Sequence, residues 1–289
     1  MKTIIPKNCF GEQYADDVAL VFKPNKILIS RKTKYQQVDI VETESYGKIL
    51  FLDNLLMKTD KDGHIINEMI VHIPMRVGQK KKKVLIIGGG EGFTATKLLK
   101  YPELEKIDVV DIDEEFVEIA RKFYLEKTKS FNNRKVNLHI IDGLEFIRKT
   151  RETYDVIFIT STDPSGLSKP LFTKEFYKLC YQKLAFDGLF MADAYMPFYN
   201  FGEIDYAYMF KKVANHYPIT KLYCCTVPSF PGGLFAFVIG SKKYNPEKDL
   251  RVDIPKIKTK YYNAKIHKAC FQLPQFMIDR LRQELVCKK

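Results

Sequence analysis

Apolar residues change their spacing near residue 70. Before it, ILISRKT (27–33), QVDIVETESYG (37–47) and KILFLDN (48–54) are short runs with partial alternation, separated by Tyr-Gly and Asp-Asn pairs that read as turns. After Ile70, apolar runs of strand length alternate with segments of helix length. VLIIG (84–88) precedes FTATKLLKYP, IDVVDID (107–113) precedes EEFVEIARKFYLEK, and VNLHIID (136–142) precedes GLEFIRKTRE. YDVIFIT (154–160) precedes TKEFYKLCYQKLAFDG (173–188), and LFMADAY (189–195) follows. In EEFVEIARKF the residues Phe116, Ile119, Ala120 and Phe123 form one helical stripe. Strands that are apolar on both faces, interleaved with helices, predict a mostly parallel, doubly wound α/β sheet covered on both sides. The parse is a small N-terminal β domain over residues 1–70 joined to an α/β domain over 71–289.

Composition narrows the classes. Of 289 residues, 46% are hydrophobic and 13% aromatic, enough for a sizeable core and unlike a disordered chain. No apolar run approaches the roughly 20 residues that span a bilayer, and the first residues lack an apolar stretch of signal-peptide length. The expectation is a soluble cytoplasmic protein with no membrane partner. Six cysteines show no CxxC and no ligand spacing with histidine, so reduced thiols and no metal site are expected. Lysine and arginine outnumber acids 47 to 35, for a formal charge of +12. The densest cluster, Lys80–Lys83, directly precedes a strand and has no interleaved aromatics. It reads as a solvated loop at the bottom of the sheet, with no nucleic-acid partner.

The chemistry concentrates at strand ends. VLIIGGGEGFTATKLL is strand, glycine turn, helix. Gly88, Gly89, Gly90 and Gly92 allow a tight turn and close approach of a ligand to backbone amides. About 20 residues on, the next strand ends with Asp111 and Asp113, where a carboxylate binds ribose hydroxyls. These two share a strand face, so periodicity does not choose between them. A third strand ends in Asp142-Gly143, where the acid would accept from an adenine amino group. The competing reading is that these carboxylates only cap helices. Glu91 stands inside the glycine turn, where it repels a pyrophosphate and suits a cationic sulfonium nucleoside. In FITSTDPSG (158–166) a strand ends in hydroxyls and one acid, Asp163. Phe172, Phe176 and Tyr177 read as helix packing.

These segments resemble the polyamine aminopropyltransferases, typified by spermidine synthase. The likeness is carried by VLIIGGGEG, DID, the IDG at 141–143, STDPSG, CTVPSFPGG and KYYNAKIHKACFQLP (260–274), with YQQVDIVETESYGKILFLDN in the N-terminal part. It implies a Rossmann-like fold of the class I methyltransferase type and a homodimer or homotetramer. It also implies transfer of an aminopropyl group from decarboxylated S-adenosylmethionine, a co-substrate rather than a bound cofactor, to a small amine such as putrescine. On this likeness Gln36, Asn67, Gly88, Gly90, Asp111, Asp142 and Gly143 contact the donor, and Glu91 replaces an aspartate that holds its aminopropyl amine. Of the two histidines near this segment, His64 and His72, neither has a partner spacing. The acceptor side departs from the family. Thr160 stands where the family's strand-end base would be, leaving Asp163. Ile66 and Phe230 replace tyrosines, Asp62-Gly63 stands for an acidic pair, Met57 replaces a glutamine, and Asp193 replaces another glutamine. A threonine hydroxyl is no base near neutral pH but orients a water or amine. Two alternatives remain at this stage. One is an S-adenosylmethionine-dependent N-methyltransferase, for which Glu91 is badly placed against the donor carboxylate. The other is a catalytically impaired regulatory homologue.

Overall fold

The computed structural model describes residues 3–161, 166–199 and 205–286. The chain begins with a hairpin of β1 (Phe10–Gln13) and β2 (Ala19–Phe22). Next come β3 (Lys26–Lys32), β4 (Gln37–Thr43), β5 (Gly47–Leu52) and β6 (Leu55–Thr59), an antiparallel sheet in sequential order. The β5–β6 turn is Asp53-Asn54, with φ of 50° and 65°. Two left-handed residues match the turn to the twist of the flanking strands, and short polar side chains adopt that conformation most readily after glycine. Helix α1 (Gly63–Met75) leads into the larger unit. The expected division at residue 70 falls inside α1, and α1 packs into the core around the larger sheet.

That sheet has seven strands: β7 (Lys83–Gly88), β8 (Lys106–Asp111), β9 (Val136–Ile140), β10 (Tyr154–Thr160), β11 (Leu184–Tyr195), β12 (Ile219–Thr226) and β13 (Leu234–Ser241). Their order is β12-β13-β11-β10-β7-β8-β9; β11 to β9 run parallel, and β13 and β12 extend the sheet antiparallel. On β7, Val84 and Ile86 enter one core while Leu85 and Ile87 enter the other. This is the two-sided burial expected of a central parallel strand. Intervening helices are α2 (Phe93–Leu98), α3 (Glu114–Phe123), the single turn α4 (Leu125–Thr128), α5 (Gly143–Lys149), α6 (Lys174–Gln182) and α7 (Tyr206–Ala214). Two more, α8 (Ala264–Ala269) and α9 (Gln275–Val286), follow the last strand.

Several local expectations change. The segment 173–188 is not one helix: α6 ends at Gln182, and β11 begins at Leu184 by pairing with Tyr154. A register shift then lets Val156 face Leu189, so LAFD forms an irregular start to the strand. Helix α3 directs Phe116, Ile119 and Ala120 onto Val38, Ile40, Leu50 and Leu52 of the N-terminal sheet, fastening the two sheets together. The basic run is a loop at the foot of β7 with Lys80 and Lys82 exposed, as expected, but it is not solvated throughout. Lys80, Lys82 and Lys83 pair with Asp253, Glu105 and Glu152, and Lys81 is buried. Burial lowers the Lys81 pKa, against the attraction of Asp187 and Asp155. Phe172, Phe176 and Tyr177 are core residues, Tyr177 stacking edge-on to Phe190 at 5.5 Å. Cys224 and Cys225 face opposite cores, and the five described cysteines are free thiols.

Candidate active site

In an open α/β sheet the chain reverses its direction of winding at one place, and a crevice opens there beyond the carboxyl ends of the strands. Here β7 leads outward to β8 and β9, and β10 returns to the other side of β7. The tips of β7, β8, β10 and β11 and the start of α5 line one wall of a cavity of about 320 Å³. The N-terminal sheet supplies the opposite wall through Leu50, Leu52, Met57 and Lys58.

At the glycine turn, Gly88 and Gly89 have φ of 86° and 92°, and a Cβ on Gly88 would lie 2.8 Å from the Thr160 carbonyl. The strand tips therefore touch through backbone. The Gly90 amide donates to Asp111 Oδ2 at 2.8 Å, and the Asp113 amide donates to Asp111 Oδ1 at 3.0 Å. Burial raises the Asp111 pKa to about 6. Those two amides oppose the rise, and the charges of Glu91 and Asp113 add to it.

The tertiary structure separates the two aspartates. Asp111 faces the cavity. Asp113 is buried, caps α3 through the Phe116 amide at 3.1 Å, and accepts from Thr33 at 2.7 Å and from the Gln36 side chain at 2.9 Å. Gln36 thus reaches the cavity wall already anchored to α3. Asp142 both caps α5, accepting from the Glu145 amide at 2.8 Å, and lines the cavity. Gly143 follows it, and a Cβ there would come within 2.5 Å of Ile87. Capping α5 therefore does not withdraw Asp142 from the cavity wall.

Glu91 lines the cavity beside the glycine turn. It is buried, and its Oε1 forms an ion pair with Lys58 Nζ. Lys58 lies 4.8 Å over the Phe93 ring. Asn67 is buried on α1 and is not among the cavity-lining residues, whereas Ile66 and Ile70 on the neighbouring stripe are. Its Oδ1 has no hydrogen-bond partner among the described residues.

On the other side of the cavity stand Thr160, Ser161, Asp193, Tyr195 and Phe230. The hydroxyls of Thr160 and Ser161 are buried without a hydrogen-bond partner among the described residues. Asp163 lies outside the described residues. A register shift after Asp193 and a left-handed Tyr195, with φ of 68°, end β11 against the cavity. Phe230 packs on Phe235 at 5.1 Å, on a loop held from below by Asp62. Asp62 accepts from the Ser229 amide at 2.7 Å, from the Ser229 hydroxyl at 2.9 Å and from Thr59 at 2.6 Å. Asp62 is therefore an anchor for this loop. His72 is a core residue bonded to Tyr101 at 2.7 Å, and burial lowers its pKa to about 3. Sequence reasoning missed Glu12, which lines the cavity from the β1 hairpin and accepts from the Leu56 amide at 2.8 Å, and Lys58. Glu12 gave no usable signal, because its position depends on how a short hairpin folds back.

Comparison with known proteins gives a consistent result. A family model for the spermine/spermidine synthase domain matches residues 63–251, and one for the spermidine synthase tetramerisation domain matches residues 9–60. A polyamine aminopropyltransferase of Clostridium botulinum (strain Alaska E43 / Type E3) is 38% identical over 278 residues, spanning 95% of this chain and 98% of that one. One from Moorella thermoacetica is 40% identical over 273 residues, spanning 94% and 95%. A solved spermidine synthase in complex with the transition-state analogue AdoDATO superposes with a TM-score of 0.90 at 34% identity, over 98% of each chain.

Proposed function

This chain belongs to the spermine/spermidine synthase family, and we propose that its cavity seats the adenosyl group of decarboxylated S-adenosylmethionine on the tips of β7 and β8 and the start of α5. It is an enzyme, a polyamine aminopropyltransferase. The observation that carries the proposed seat is Asp111. It is a cavity-facing carboxylate fixed by two backbone amides, beside a glycine turn and one strand from Asp142-Gly143. On this reading Asp111 accepts from the ribose hydroxyls, Asp142 from the adenine amino group, and Gly88, Gly90 and Gly143 permit close approach. Gln36 closes the edge.

The reaction is an in-line displacement. The lone pair of a neutral amine attacks the methylene carbon on the sulfonium. The C–N bond forms as the C–S bond breaks, and the electron pair goes to sulfur, releasing neutral methylthioadenosine. The new ammonium then loses a proton. Orientation of two bound reactants supplies much of the acceleration. A base adds roughly 10²- to 10⁴-fold. Thr160 orients the amine, and Asp193, with Asp163, takes its charge or proton. Ile66 and Phe230, which carry no hydroxyl, leave fewer acceptors for a second ammonium, so putrescine or a variant amine binds with fewer polar contacts. We propose a homodimer or homotetramer built on the N-terminal sheet, where residues 9–60 match the tetramerisation model and Ile27 of β3 is half exposed.

The test is incubation with decarboxylated S-adenosylmethionine, with and without an amine panel, and detection of methylthioadenosine by mass spectrometry. Product that depends on both reactants is expected. S-adenosylhomocysteine formed from S-adenosylmethionine, or no product from any amine, would overturn the assignment.

A further inference from the structure

The Lys58–Glu91 pair has a consequence for the donor's tail. Lys58, on β6, and Glu91, in the glycine turn, both line the cavity, and their side chains are 13% and 9% exposed. The Phe93 ring lies under both Lys58 and Lys127, at 4.8 and 5.7 Å. Met57 adds apolar wall beside them. Glu91 adjoins Gly90, whose amide binds Asp111, so the pair sits beside the ribose seat, where a substituent on the nucleoside sulfur would extend. A charge in such a place needs a partner, because removing one member of a desolvated pair leaves the other uncompensated.

A tail that ends in an ammonium alone takes Glu91 and strands Lys58. A tail that carries an ammonium and a carboxylate on one carbon meets both charges at once: the ammonium donates to Glu91 and the carboxylate accepts from Lys58. We propose that Lys58 and Glu91 form a seat for an α-amino acid. By this arrangement the cavity binds S-adenosylmethionine, carboxylate included, as well as the decarboxylated donor. The inference rests on the nucleoside reading above and adds a specificity-determining residue, Lys58, to it.

Isothermal titration of the intact protein with three nucleosides separates the possibilities. Methylthioadenosine lacks the tail and reports only the adenosine seat. The wild-type protein is expected to bind all three, with S-adenosylmethionine within about tenfold of the decarboxylated form. Lys58→Met should weaken S-adenosylmethionine by at least about tenfold, given the usual effect of truncating a buried charge pair. It should leave methylthioadenosine unchanged, and the decarboxylated form should bind equally or more tightly. Lys58→Arg should retain S-adenosylmethionine binding. Wild-type protein that binds methylthioadenosine and the decarboxylated donor but not S-adenosylmethionine would overturn the inference alone. So would a Lys58→Met protein in which all three affinities are unchanged or fall together. No binding of methylthioadenosine to wild type would overturn the nucleoside reading itself.

Discussion

Gly90 and Asp111 constrain each other. A Cβ on Gly90 would lie 2.7 Å from Asp111 Oδ2 and 2.9 Å from Val117, so alanine there must displace the carboxylate. Gly90→Ala is expected to weaken methylthioadenosine binding by at least about tenfold, as a misplaced charged hydrogen bond would; calorimetry measures it. Asp111 also sets a pH dependence. Its folded pKa of about 6 lies above the ordinary 3.8, so its contribution to stability of the free protein is present below about pH 4 and is lost as pH rises through 6. Ligand binding runs the other way, because only the carboxylate accepts from both ribose hydroxyls. The thermal shift caused by methylthioadenosine should therefore be small at about pH 5 and larger at about pH 7.5. Asp111→Asn should remove that trend. On the acceptor side, Asp193→Asn is expected to raise the KM for amine by tenfold or more while leaving methylthioadenosine affinity unchanged, roughly the effect of losing one charge-assisted contact.

At the scale of elements, the loop between β12 and β13 is positioned by α1. Asp62 stands at the N-terminus of α1 yet makes no side-chain cap there; its oxygens go to Ser229 and Thr59. Asp62→Ala leaves the Ser229 amide without that acceptor and releases the Phe230 wall. A loss of about 1–3 kcal/mol in urea unfolding is expected, together with weakened amine binding. The β5–β6 turn was legible in the sequence because Asp-Asn states its own backbone geometry. The end of α6 was not. TKEFYKLCYQKLAFDG has helix-like spacing throughout, and only the pairing of Leu184 with Tyr154 in the sheet ends the helix at Gln182. Likewise the stripe on α3 could be read from its period, but not that its partner is the N-terminal sheet rather than the central one.

For the whole molecule, Glu68 ties the C-terminal segment to α1. It accepts from the amides of Lys260, Tyr261 and Tyr262 at 2.9–3.1 Å and from Lys97 at 3.0 Å. Burial raises its pKa, but these donors outweigh burial and bring it to about 2, below the ordinary 4.5. Its stabilisation is therefore present above about pH 4.5 and lost as pH falls toward 2; the shift corresponds to about 3 kcal/mol. Unfolding midpoints measured across that range should fall steeply for the wild type and less for Glu68→Gln, which should itself be less stable at neutral pH. Sedimentation is expected to show a dimer or tetramer, and a monomer at micromolar concentration would contradict the assembly proposed for the N-terminal sheet.

The sequence by itself determined the alternation of the parallel strands with helices, the glycine turn and the carboxyl ends of those strands, because hydrophobic period and turn chemistry are local properties; it gave no sign of the antiparallel edge β13-β12. It also carried the family, through motifs in order along nearly the whole chain. It left Asp111 and Asp113 equivalent, since read as one extended run they share a face, whereas β8 ends at Asp111 and Asp113 already begins the turn into α3. Tertiary structure decided that one caps α3 while the other meets the cavity. It also brought Lys58 from one sheet against Glu91 from the other. A pairing between residues 33 positions apart on separate sheets follows from how the sheets dock, which no local pattern encodes.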